Sequence, residues 1–135
     1  MTLTATLDEI DTVVDALNGL LPAHAVVSLR GDLAAGKTTL VQAIARRQGY
    51  AQATSPTFSL QHVYGEDLFH YDLYRVDFET LAQLGLLEGF EETGWHLVEW
   101  MDDRLVSLLL AAGLEVWEVA IDPVEERRHY QIATL

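Results

Sequence analysis

The octapeptide Gly31-Asp32-Leu33-Ala34-Ala35-Gly36-Lys37-Thr38 matches G-x-x-x-x-G-K-[ST] at every fixed position. Residue types at this spacing can hold the triphosphate of a nucleotide together with Mg²⁺. Glycine and alanine let backbone N–H groups wrap closely round a β-phosphate, and the helix that follows aims its positive end at the same anion. Lys37 reaches the β- and γ-phosphates as a point charge, and the Thr38 hydroxyl is placed to ligate Mg²⁺. Such a motif counts only between a strand and a helix. Here Val26-Val27-Ser28-Leu29 precedes it and an amphipathic run follows. Lys37 is also the only lysine in the chain, kept where the phosphates need it although the composition avoids lysine elsewhere.

Hydrolysis needs a carboxylate near the metal and a group that senses the γ-phosphate. Two acids stand where apolar strands end: Asp72 in His70-Tyr71-Asp72-Leu73-Tyr74-Arg75, and Glu99 in Leu97-Val98-Glu99-Trp100. Each can ligate Mg²⁺, hold its water shell or polarise an attacking water; the plain alternative is a turn carboxylate facing solvent. Ser55-Pro56-Thr57 reads as a rigid turn offering hydroxyls, either a switch segment or an ordinary strand entry. His70 could pair with a carboxylate, though a structural histidine is the simpler reading. Trp100 is either a stacking platform for a base or a half-buried core residue.

These groups must be positioned by elements that the pattern also specifies. Thr6 with Glu9 forms a capping box, and Leu7, Ile10, Val14, Leu17 and Leu21 follow at helical spacing until Pro22. Ala25 to Leu29 is the all-apolar run of a strand buried on both faces. After the loop, a helix runs from Lys37 to Gln48 and stops at Gly49. Thr57 to Tyr64 and Leu68 to Tyr74 are β-prone runs around Gly65-Glu66-Asp67, which predicts a hairpin. Asp77 caps a short helix through Leu84. His96 to Trp100 is another buried strand, and Asp102 or Asp103 caps a helix through Ala112, with Gly113 after it. Glu115 to Ile121 alternates with Trp117, Val119 and Ile121 on one side; Asp122-Pro123 turns the chain; His129 to Thr134 is a last strand. The expected fold is α/β, a P-loop NTPase-like mixed and partly parallel sheet flanked by helices, in a single small domain over residues 1–135.

A chain of 135 residues, 50% hydrophobic and 21% charged, buries a real core without staples, and the absence of cysteine rules out disulfides and thiolate metal sites. Met1-Thr2-Leu3-Thr4 lacks the basic start and apolar run of a signal peptide, and the apolar stretch around Leu105 to Leu114 is too short to span a bilayer. The expectation is a cytoplasmic protein with no membrane partner. The formal charge is −13, with seven scattered arginines beside the one lysine. A surface of that sign argues against direct gripping of DNA or RNA, which needs a basic face. It suits a solvated surface, or a docking face for a basic protein.

With the motifs placed, the chain resembles the TsaE family, formerly YjeE: small bacterial P-loop ATPases needed for threonylcarbamoyladenosine in tRNA. The resemblance rests on the phosphate loop through Thr39, on Ser55-Pro56-Thr57-Phe58, on His70-Tyr71-Asp72-Leu73-Tyr74-Arg75 and on Val98-Glu99-Trp100, in the family's order and spacing. It implies an ATP- and Mg²⁺-dependent accessory subunit that works with TsaD-like and TsaB-like proteins and meets tRNA only through that complex, without itself transferring the threonylcarbamoyl group. The implied nucleotide contacts are Gly31, Leu33, Ala34, Ala35, Gly36, Lys37, Thr38 and Thr39, with Thr12 and Trp100 near the base. Thr38 and Glu99 become the metal ligands; Lys37, Glu99 and Asp72 become the catalytic groups; Ser55 and Thr57 become a switch responding to the γ-phosphate. Arg127 lies near a family arginine in the final hairpin. Two departures stand out. Ala34 occupies a position usually glycine, where a positive φ would cost about 1 kcal/mol, and Met101 follows Glu-Trp where the family favours proline.

A small-molecule kinase would use the same loop but wants an arginine-bearing lid, for which no clear segment exists. A nucleotide-dependent binding switch with incidental hydrolysis is the other competing reading.

Overall fold

The computed structural model describes residues 1–32, 35–51 and 60–135, together with the backbone of 55–57. The chain runs β1 (Thr2–Ala5), a 3₁₀ turn (Leu7–Glu9), α1 (Ile10–Leu20), β2 (Ala25–Arg30), α2 (Lys37–Arg47), β3 (Ser55–Thr57), β4 (Gln61–Tyr64) and β5 (Leu68–Asp72). It continues through α3 (Phe78–Gln83), a second 3₁₀ turn (Glu88–Glu91), β6 (Trp95–Glu99), α4 (Asp103–Ala111), β7 (Val116–Val124) and β8 (Arg127–Thr134). The strands form one mixed sheet in the order β1-β8-β7-β2-β6-β5-β4-β3. β2 pairs in parallel with both β6 and β7, and β5 pairs in parallel with β6, while the outer pairs are antiparallel.

The order of the strands makes β2 a switch point. The chain leaves β2 through α2 toward the β5–β6 side, then returns from β6 through α4 to β7 on the other side. In open α/β sheets the crevice beyond the carboxyl ends of such strands is where ligands bind. β2 is apolar because both of its faces are covered. Val27 and Leu29 join a core with α1 and α2, made by Val13, Leu17, Leu40 and Ile44 among others. Val26 joins the opposite core with Tyr71, Val98 and Leu105. Alternation along each strand sorts side chains between the layers.

Local signals act as expected at the helix starts. The Glu9 carboxylate accepts from the Thr6 N–H at 2.9 Å and from its hydroxyl at 3.0 Å. Asp77 Oδ1 accepts from the Thr80 N–H at 2.8 Å, and Asp102, rather than Asp103, caps α4 through the Leu105 N–H at 2.8 Å. One expectation is corrected, and one strand was not anticipated. Asp122-Pro123 does not turn the chain: β7 continues to Val124, Pro123 pairs with Arg128, and the reversal comes at Glu125, which takes a left-handed φ of 57°. Proline is tolerated there because the pairing of β7 with β2 stops at Ala120. Beyond it, the missing N–H removes no ladder bond on that edge. The N-terminal segment, read only for targeting, is a strand on β8, with Leu3 opposite Tyr130.

Under the α3–α4 face lies a fully buried histidine. His96 has no exposed surface and stacks on Phe69 at 4.4 Å between ring centroids. Its Nδ1 lies 2.8 Å from the Tyr71 hydroxyl and its Nε2 lies 2.7 Å from the Glu92 carbonyl. The carbonyl can only accept, so Nε2 carries the proton and Nδ1 accepts from the tyrosine. Burial pulls its pKa down to about 4, against a smaller upward pull from the Glu92 carbonyl. The native state therefore prefers neutral imidazole, and between about pH 6.5 and 4 the unfolded chain binds a proton that the native one does not. The resulting stability is fully present above pH 6.5 and is lost as pH falls toward 4, by about 3 kcal/mol. Urea denaturation of the protein and of His96→Gln should show this. The variant is less stable at pH 7, but its profile is flatter across that window; parallel profiles would remove His96 as the cause.

Candidate functional site

The loop between β2 and α2 is shaped by two glycines. A Cβ on Gly31 would fall 2.7 Å from the Ala35 Cβ and 2.8 Å from the Ile121 carbonyl oxygen, so no side chain fits there. Gly36 has φ 102° and caps α2 in a left-handed conformation that favours glycine. Between them the Ala35 N–H donates to the Asp32 carbonyl at 2.9 Å, and Ala35 is fully buried. Leu33 and Ala34, the latter the position where strain was expected, lie outside the described residues. The first N–H groups of α2, which includes Thr38 and Thr39 in its first turn, have no partners within the helix and concentrate positive potential at its start.

Lys37 is 3% exposed. Its ammonium donates to the Gly31 carbonyl at 2.9 Å and sits 3.6 Å from the centroid of the Trp100 ring. Burial pulls its pKa down, while the nearby charges of Glu99, Asp72 and Asp32 push it back up. Trp100 reaches the ammonium because its backbone leaves β6 with φ 62°, uncommon for a bulky residue. The partners of the Trp100 ring among the described residues are Lys37 and Tyr74, whose ring lies 5.1 Å away.

Glu99 ends β6 directly beside Leu29 of β2 and Asp72 of β5. It is 5% exposed, and its Oε2 accepts from the Thr38 hydroxyl at 3.2 Å and from His70 Nε2 at 2.5 Å. Burial alone would raise its pKa. The His70 hydrogen bond and charge, the Thr38 hydroxyl and the Lys37 ammonium together hold it below the usual carboxylate value, so it is ionised at neutral pH. Asp72, expected as a second catalytic carboxylate, is exposed, and its Oδ1 accepts from the Tyr74 N–H at 3.1 Å. Its charge still acts on Lys37.

A hydroxyl and an ionised carboxylate meeting at the first turn of α2 are hard oxygen donors suited to Mg²⁺, which takes one or two protein oxygens and keeps most of its water. Among the described residues no group of three or more His, Cys, Asp or Glu forms a protein-only metal cage. Thr38 and Glu99 are the residues here that could hold such an ion.

Of the other expected residues, Thr12 is exposed on α1 and its hydroxyl donates to the Glu9 carbonyl at 2.7 Å, outside the group gathered round Lys37. Ser55 and Thr57 lie on β3, opposite Val63 and Gln61, with only their backbone described; Phe58 lies outside the described residues. Sequence reasoning passed over Arg128. A Cβ on Gly36 would lie 2.8 Å from its Nε, so this arginine packs over the start of α2, whereas the neighbouring Arg127 is exposed. The alternation of β8 carries that signal, since Arg128 shares a face with buried Tyr130 and Ile132. Beside the loop opens a cavity of about 840 Å³ reaching from Gly31 and Lys37 to the start of α4, rimmed by Asp32, Asp102, Asp103 and Asp122.

A parallel switch-point strand, a G-x-x-x-x-G-K-T loop and a helix starting at its lysine define a P-loop α/β domain. Residues 4–130 match the family described as Threonylcarbamoyl adenosine biosynthesis protein TsaE. Proteins named tRNA threonylcarbamoyladenosine biosynthesis protein TsaE are similar: that of Bacillus subtilis is 35% identical, covering 76% of this chain and 72% of its own. That of Streptomyces coelicolor is 31% identical, covering 86% and 84%. The crystal structure of Bacillus subtilis YdiB superposes with a TM-score of 0.65 at 26% identity, covering 99% of this chain and 85% of the other. The chain belongs to the TsaE family.

Proposed function

We propose that this protein binds Mg·ATP in the Gly31–Thr38 loop and hydrolyses it as an accessory subunit for threonylcarbamoyladenosine formation in tRNA. It works in the cytoplasm with TsaD-like and TsaB-like partners, and tRNA is reached only through them. The observation that carries the reading is the meeting of Thr38, Glu99 and Lys37 at the start of α2, from elements 61 residues apart in the case of the Thr38–Glu99 bond. The relatives' names supply the pathway, and the formal charge of −13 suits a subunit that does not grip tRNA itself. No helix among the described residues is long and apolar enough to cross a membrane.

In this mechanism the amides at the start of α2 and the Lys37 ammonium hold the β- and γ-phosphates. A bound Mg²⁺ supplies neutralisation of the charge on their oxygens. Thr38 and Glu99 orient that end of the nucleotide, and Asp72, exposed beside Glu99, is within the same row of strand ends to hold or deprotonate a water. Phosphate release measured alone and with a TsaD–TsaB pair, without any acceptor, tests the proposal. Strong stimulation by the pair is expected. Phosphate transferred to a small acceptor would make the protein a kinase, and nucleotide binding without turnover in either condition would make it a switch.

A further inference from the structure

His70 has no part in the cradle, yet it touches the residue on which the metal side depends. In the β5–β6 register His70 stands opposite Leu97, and Asp72 opposite Glu99. Side chains two apart on a strand share a face, so His70, Asp72 and Glu99 all point toward the layer that holds α2. His70 is 7% exposed, and its Nε2 lies 2.5 Å from Glu99 Oε2, the same oxygen that accepts from Thr38 at 3.2 Å. An ionised carboxylate can only accept, so the imidazole donates through Nε2–H. Behind it, His62 stands opposite His70 across the β4–β5 hairpin, and the rings stack at 5.9 Å with planes 25° apart. One oxygen of Glu99 is thus clamped between a hydroxyl of α2 and an imidazole whose own ring is braced.

We propose that His70 is a positioning residue that locks the Glu99 carboxylate against Thr38, so that the oxygen pair for Mg²⁺ is assembled before the nucleotide arrives. This rests on the reading of Thr38 and Glu99 as the metal side of the site. A glutamate has three side-chain torsions to immobilise, and a ligand whose orientation is already set loses less on binding. Partners that orient a metal ligand are worth about 10- to 100-fold in metal affinity. A histidine that merely fills the core would affect stability and nucleotide affinity alike, with no selective effect on the metal.

The test is calorimetric titration of ADP and ATP across a series of Mg²⁺ concentrations, with thermal unfolding as a control. It uses the full chain and two amide variants that differ in reach. In His70→Gln the amide nitrogen can occupy the place of Nε2 and donate to Glu99; in His70→Asn it stops short. Both put an uncharged amide in the same buried site. His70→Asn should keep metal-free nucleotide affinity within about twofold, while the Mg²⁺ concentration for half-maximal tightening rises about 10- to 100-fold. His70→Gln should recover most of that loss. A Mg²⁺ dependence in His70→Asn equal to that of the parent overturns the proposal while leaving the site intact. So does an equal loss of affinity with and without metal. If the parent chain binds neither nucleotide at any Mg²⁺ concentration, the reading of the loop itself fails, a separate and recognisable result.

Discussion

Lys37→Ala is expected to weaken ATP binding about 100-fold or more in calorimetry. The ammonium makes two charge-assisted contacts to the β- and γ-phosphates in the proposed complex, each worth about 1.5–3 kcal/mol. It does not come to them free, because in this structure it is held by the Gly31 carbonyl and the Trp100 ring. Exchange of those contacts lowers the net gain to about 3 kcal/mol, a factor of about 100. A second effect adds to it. Glu99, Asp72 and Asp32 all act on the lysine charge, and without it they face a polyanionic nucleotide uncompensated. Lys37→Met retains the apolar stem beside Trp100 and should lose affinity to a similar degree, which separates charge from packing. Unchanged affinity in both variants would overturn the assignment of the loop.

At saturating Mg²⁺, Glu99→Gln should leave nucleotide affinity within a few-fold of the parent and lower ATP turnover about 100-fold. Glutamine keeps the shape and can still accept from Thr38 and His70, so the cradle and the β6 strand end are preserved. What it lacks is the negative charge of the only buried carboxylate among the described residues. Glu99→Ala is the harsher variant, because it also leaves His70 buried without its acceptor. Steady-state phosphate release with the TsaD–TsaB pair present is the measurement. Turnover unchanged in Glu99→Gln would shift the catalytic role to Asp72, which ends the neighbouring strand in register with Glu99.

By itself the sequence determined the loop, its flanking strand and helix, the β4–β5 hairpin, and the caps at Thr6 and Asp77, and it narrowed the cap of α4 to Asp102 or Asp103. Each is written within about ten residues, through glycine positions, hydrogen-bonding side chains and periodicity. Even the alternation that sends Trp117, Val119 and Ile121 to one face needs nothing distant. The sequence also marked Asp72 and Glu99 as carboxylates at strand ends, with only a slight lean toward Glu99. Only the tertiary structure decided that Glu99 is buried against Thr38 while Asp72 stays exposed. It also turned His70 from a simple structural histidine into the partner of Glu99, and brought Trp100 over Lys37. The continuation of β7 through Pro123, the pairing of β1 with β8 and the packing of Arg128 over Gly36 belong to the same class. The physical reason is common to all of them: register and burial between remote strands are set by how two packed layers share one sheet, and spacing along a single segment does not contain that information.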